Sequence, residues 1–257
     1  MPFPNFAGKH AHDAFFSPAD FVAYKREQGP YPDFVVPGGV ILSYQPSLVR
    51  HILATEETEQ VNFANGMTLL SDTGGRIGVI GGFGIGAPAA STILEELIAL
   101  GVRRFISMGT AGSLQKTLAI GALTVCDRAI RDEGVSHHYL ASETFAYPTP
   151  ELTATFVDQI KQLGHDPLVG PSWTIDTPYR ETVEEAKHYQ QEGVLTVEME
   201  AAALFAVAQY REVEIASGFA ISDSLAELTW TPRFSSDETQ QGLVTLYRAA
   251  VATLLLV

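Results

Sequence analysis

An apolar run at residues 77–80, a helical pattern over 88–100 and a second apolar run at 104–108 follow one another without a break. Ile93, Leu94, Leu97, Ile98 and Leu100 recur at helical spacing, and the pattern stops at Gly101, a residue type that ends helices readily. Parallel strands need a crossover of roughly a dozen residues, usually a helix, so this order reads as a βαβ unit and predicts parallel strands with helices on both faces of a sheet. Further apolar runs predict strands at 40–42, 122–126 and 216–222, and helical spacing predicts helices at 150–163, 182–191, 199–210 and 238–256. In the last of these Leu243, Leu246, Tyr247, Ala250 and Leu254 share a face and are expected to close the domain. No Pro/Gly/Ser-rich linker, charge block or repeat divides the chain, so a single domain over 1–257 is expected.

Charge and composition narrow the partners. Hydrophobic residues make up 46% and charged residues 18%, ample for a sizeable core. The formal net charge of −14 opposes a nucleic-acid partner, because such binding uses clustered Lys and Arg to release counterions from phosphates; a small neutral substrate fits better. The lone cysteine, Cys126, ends the apolar run Leu123-Thr124-Val125-Cys126 and is expected to fill core, with no intrachain disulfide or thiolate metal cluster available to it. The start Met1-Pro2-Phe3-Pro4-Asn5 has no cationic and then apolar leader, and no segment reaches the ~20 apolar residues of a membrane span. A cytoplasmic protein with no membrane partner is the expectation.

Two acidic segments carry the chemistry. In Val197-Glu198-Met199-Glu200-Ala201 two carboxylates open a small-residue helix, and Ala220-Ile221-Ser222-Asp223 ends an apolar strand on another. A carboxylate at a helix start can accept the two hydroxyls of a ribose diol, and one at a strand end can protonate a departing heterocycle; together these would break an N-glycosidic bond. Acids also open helices for structural reasons, and Ser-Asp starts many turns. Gly81-Gly82-Phe83-Gly84-Ile85-Gly86 between the second strand and its helix, and Gly109-Thr110-Ala111-Gly112 after the third, read as two glycine turns lining one crevice where backbone N–H groups meet an anion. As a dinucleotide fingerprint the first is poorly spaced and no acid ends the next strand, which ranks an NAD(P) oxidoreductase last.

Taken together, the segments at 84–90, 95–102, 109–114, 132–139 and 197–202 resemble the nucleoside phosphorylase-I family, which holds uridine phosphorylases, hexameric-type purine nucleoside phosphorylases and methylthioadenosine/adenosylhomocysteine nucleosidases. The resemblance covers about residues 38 to 255. It implies an α/β fold, a three-layer αβα sandwich around a central mixed sheet, assembled as a homo-oligomer (a dimer or a trimer of dimers) with the N-terminal arm 1–37 packed on a neighbouring subunit. It also implies that Glu198, Met199 and Glu200 bind the nucleoside, Glu200 taking the 2′- and 3′-hydroxyls, that Gly84, Gly109 and Thr110 lie on the phosphate side, and that His10 or His12 caps the ribose of an adjoining subunit. Tyr179 and Arg180 would stack on and contact the base, and Asp223 would protonate a purine. Inorganic phosphate is the implied co-substrate, with no metal or organic cofactor.

Three positions depart from the family pattern. Leu48 stands where an arginine is expected and Tyr44 where a glycine is; Ser107 replaces the arginine before the Gly109 segment; residues 62–64, where a neighbour's arginine should fall, hold no basic residue. Arg50 and Arg131 are the best substitutes from new positions. Leu48 also falls near the glutamate that activates water in the hydrolytic branch. Purine phosphorolysis is the leading expectation, with hydrolysis of the same bond or a non-catalytic nucleoside binder as alternatives.

Overall fold

A computed structural model describes residues 3–28, 34–63 and 66–256. Its strands are β1 (Gly39–Ser43), β2 (Thr58–Val61), β3 (Met67–Leu70), β4 (Ile77–Ile80), β5 (Arg104–Ser113), β6 (Leu123–Asp132), β7 (Phe145–Ala146), β8 (Leu168–Ile175), β9 (Thr196–Glu198), β10 (Glu214–Ser224) and β11 (Thr231–Pro232). Its helices are α1 (Pro18–Gln28), α2 (Pro46–Thr55), α3 (Ala87–Leu100), α4 (Ser136–Tyr139), α5 (Pro150–Gln162), α6 (Val183–Gln191), α7 (Ala201–Arg211) and α8 (Asp237–Leu256).

The expected βαβ unit is β4–α3–β5, but β1 lies between its two strands, paired in parallel with both. The predicted crevice between two neighbouring strands is corrected accordingly. The sheet is mixed, and one part closes on itself: β5 pairs with β10, β10 with β6, β6 with β8, β8 with β9, and β9 again with β5. The cluster containing Leu94, Leu97, Leu204 and Phe205 joins α3 and α7 to one face of the sheet. On the other face Leu48, Phe156, Leu246 and Tyr247 join α2, α5 and α8. This is a three-layer αβα sandwich. Among the described residues no helix is long and apolar enough to cross a membrane.

The second glycine turn is not a turn. Residues 109–113 continue β5, paired with 219–224 of β10. Their glycines serve close approach: a Cβ on Gly109 would lie 2.9 Å from the Tyr44 ring and one on Gly112 2.8 Å from Leu225. The first turn is real, and Gly84 and Gly86 adopt the left-handed values φ 98° and 91° that lead into α3.

Residues 3–28 of the arm lie against their own chain. Phe3 packs edge-on to His137 and His138, and Lys25 pairs with Glu96 at 2.9 Å.

Candidate active site

The helix α7 begins only at Ala201 because the preceding carboxylate takes its free N–H groups. Glu198 Oε2 accepts from the N–H of Glu200 (2.8 Å) and Ala201 (2.7 Å), while Oε1 accepts from the Thr174 (2.5 Å) and Ser172 (3.2 Å) hydroxyls. A carboxylate with four donors around it is anchored, and it sets the end of β9 against the start of α7. Glu200 is turned by that anchor toward the glycine turn, where its Oε1 accepts from the Gly86 N–H at 2.5 Å. Of the glycine-turn N–H groups expected to serve an anion, that of Gly86 is therefore spent on Glu200.

Burial, then the neighbouring Glu198 carboxylate, pushes the Glu200 carboxyl up to about 8. The folded state thus keeps a proton that the unfolded chain releases near 4.5, so the contribution to stability is full below that pH and is lost as pH rises through about 8. Thermal melts at pH 5 and pH 8 are expected to show a lower Tm at pH 8 in wild type, and a smaller drop in Glu200→Gln, whose amide oxygen still accepts from Gly86. Parallel drops in the two proteins would overturn the assignment.

Above this floor lies a cavity of about 630 Å³. Met199, Glu198 and Glu200 line it together with Gln45, Thr110 and Asp223. Gln45 Nε2 donates to the Thr110 hydroxyl at 2.8 Å. Asp223, at the end of β10, is buried; its Oδ1 accepts from the Ser222 hydroxyl at 2.7 Å and its Oδ2 from the Trp230 indole N–H at 2.9 Å. Tyr179, almost fully exposed, stands at the rim with Phe234 and Trp230. Glu181 also lines the cavity, and burial followed by the nearby Asp223 and Glu185 charges pushes it up to about 7.

The cavity does not gather every expected residue. Gly84, Gly109 and Arg180 do not line it, and His10 and His12 line a separate cavity of about 800 Å³ between the arm and α3. His10 Nε2 sits 2.9 Å from the His137 carbonyl of its own chain. Neither substitute arginine reaches the cavity. Arg50 is exposed on α2, and Arg131 is buried, donating to the Ser136 hydroxyl and to the Leu140 and Ala141 carbonyls. Leu48, where one arginine was expected, is core, and Ser107, where another was, shares a 2.9 Å hydrogen bond with Tyr44, which stands where a glycine was expected. Of residues 62–64, Ala64 lies outside the described residues. No Lys, Arg or His lines the cavity among the described residues.

The sequence matches the phosphorylase superfamily over residues 45–256, most of the chain. The chain belongs to that superfamily. A guanosine phosphorylase of Halorubrum lacusprofundi is 34% identical over 126 residues, covering 49% of this chain and 52% of that protein. A uridine phosphorylase of Haemophilus influenzae is 33% identical over 136 residues, covering 48% and 54%. The chain thus spans about half the length of these curated relatives. Among solved structures, purine nucleoside phosphorylase from Toxoplasma gondii in complex with immucillin-H superposes with a TM-score of 0.75 at 22% identity, covering 85% of this chain and 90% of that one. At that identity the likeness establishes the fold. Superfamily membership and the αβα sandwich agree with the resemblance carried by the five segments.

Sequence reasoning missed Glu181 and Trp230. Both lie outside the quoted segments; the turn of residues 178–180 brings Glu181 into the cavity that Asp223 also lines, and the loop between β10 and β11 brings the Trp230 indole to the Asp223 carboxylate. A Trp seven residues beyond a strand-ending Asp was the signal available in the sequence.

Proposed function

We propose that this member of the phosphorylase superfamily cleaves the N-glycosidic bond of a nucleoside, purine favoured, transferring the ribosyl group to inorganic phosphate. The observation that carries the reading is one cavity that gathers Met199 and Glu200 with Asp223. Glu200 would accept from the ribose diol, and Asp223 would deliver a proton to the base nitrogen as the bond to C1′ breaks, so that the base leaves neutral. An oxygen of phosphate then bonds to C1′. The carboxyl of Asp223 favours a purine, whose ring nitrogen can take that proton; relatives named for guanosine and for uridine leave the base open.

A specific observation supports hydrolysis as a second reading. The cavity is lined by four carboxyl groups, those of Glu181, Glu198, Glu200 and Asp223, and by no cation among the described residues. A phosphate dianion without a charge-assisted partner forgoes roughly 1.5–3 kcal/mol for each missing bond. Phosphate would then be held by neutral groups such as Gln45 and Thr110, and its apparent KM is expected above the ~1 μM–1 mM range common for enzyme substrates. Titrating phosphate at saturating nucleoside and identifying the sugar decides between the two. Ribose 1-phosphate formed at micromolar phosphate would refute the weak site, and free ribose at a phosphate-independent rate would establish hydrolysis.

A further inference from the structure

Glu181 follows the single helical turn Pro178–Arg180 and lines the same cavity as Asp223. Its backbone N–H donates to the Pro178 carbonyl, yet its carboxyl accepts no hydrogen bond among the described residues. Asp223 instead has both oxygens engaged, by Ser222 and Trp230. The charged groups that act on Glu181 are acidic on both neighbouring elements: Asp223 on β10 and Glu185 at the start of α6. Glu185 is itself held by Thr182, whose hydroxyl donates to it at 2.6 Å. Of the adjacent residues on its own turn, Tyr179 lies at the rim and Arg180 is exposed and does not line the cavity. Deeper in the cavity stand two more carboxyls, Glu198 and Glu200.

Carboxyls that face one another across a space without a cation do not all ionise together, and a proton stays with the one least stabilised as an anion. Between Glu181 and Asp223, Glu181 is that group, lacking donors where Asp223 has two. We propose that Glu181 stores the proton that Asp223 presents to the leaving base, so that the two carboxyls act as a pair. The proposal rests on the nucleoside-cleaving reading above. In the step, the proton leaves the Glu181 carboxyl and passes by way of Asp223 to the base nitrogen. The C1′–N bond breaks with its electron pair going to the base, and the incoming oxygen bonds to C1′. Asp223 ends as it began, Glu181 ends as a carboxylate, and solvent returns its proton once the base has left. The upward push on Glu181 to about 7 agrees with a group still partly protonated at neutral pH. In this scheme Glu181 is a positioning residue for the proton, and Asp223 is the group that touches the base.

The test combines a pH profile with a titration that needs no turnover. Base release is measured from pH 5 to 9 in wild type, Glu181→Gln and Glu181→Asp. Wild-type kcat/KM is expected to fall above about 7; Glu181→Gln should lose at least about tenfold in kcat at pH 7 with little change in KM, less at pH 5 where solvent protons substitute, and Glu181→Asp should recover part of the loss. Carbon-13 NMR of labelled glutamate carboxyls, assigned with Glu181→Gln, follows Glu181 in wild type and in Asp223→Asn. Removing the Asp223 charge should move the Glu181 titration toward the ordinary carboxylate range. An active wild type whose profile is unchanged in Glu181→Gln, or a Glu181 titration indifferent to Asp223, overturns the proposal while leaving nucleoside cleavage standing. A wild type that releases base from no nucleoside overturns the cleavage reading, and the proposal with it.

Discussion

Asp223→Asn is expected to lower the release of free base by about 10²–10⁴-fold, the span usual for loss of a positioned general acid, with the KM for nucleoside nearly unchanged. The amide preserves volume and one acceptor, so the Trp230 indole N–H, now 2.9 Å from Oδ2, keeps a partner and the loop between β10 and β11 keeps its place. What the amide cannot do is pass a proton. A loss confined to kcat is therefore the signature sought, since binding contacts common to ground state and transition state would appear in KM. Single-turnover measurements on a purine nucleoside provide it. Unchanged turnover would remove Asp223 from the chemistry and leave it as the anchor of Trp230.

How far the residues could be read in advance depended on whether local pattern or distant contact decided them. The strand at 77–80 and the helix ending at Leu100 were legible because apolar spacing and Gly101 act locally. The strand β8 was not, because Gly170 and Pro171 interrupt its apolar run; in the fold Pro171 sits at an irregularity where the pairing of β6 shifts between Cys126 and Arg128, a place in a sheet that tolerates proline. Gly109 and Gly112 were misread as a turn for a related reason. Glycine marks both tight turns and close approaches, and the ring of Tyr44 that requires Gly109 lies 65 residues earlier in sequence, paired through its own hydroxyl with Ser107. In the site, Glu198 looked like a ligand for substrate because it adjoins Met199 and Glu200; only the hydroxyls of Ser172 and Thr174 on β8 reveal that its oxygens are already filled. Glu181 was invisible because its environment is made by Asp223 and Glu185 rather than by its own neighbours in a motif.

That division of labour between the two glutamates predicts how Glu200 should behave. Replacing Glu200 by Ala removes a carboxyl that accepts from the buried Gly86 N–H at 2.5 Å, so the truncation leaves an unpaired donor at the start of α3 in addition to removing the proposed sugar contact. Glu200→Gln is the cleaner change: its oxygen still serves Gly86, while its NH₂ meets a hydroxyl that needed an acceptor. A hydrogen bond to a charged group is worth about 1.5–3 kcal/mol, so kcat/KM for a ribonucleoside should fall about 10–100-fold in Glu200→Gln. The 2′-deoxy counterpart, which offers one hydroxyl fewer, should fall by less. Because burial and Glu198 push Glu200 up to about 8, the wild-type preference for the ribose form should also strengthen as pH rises toward 8 and the carboxylate forms, and Glu200→Gln should lack that rise. Equal losses for the two sugars, with no pH dependence of their ratio in wild type, would assign Glu200 to the closure of the glycine turn and leave the ribose without its acceptor.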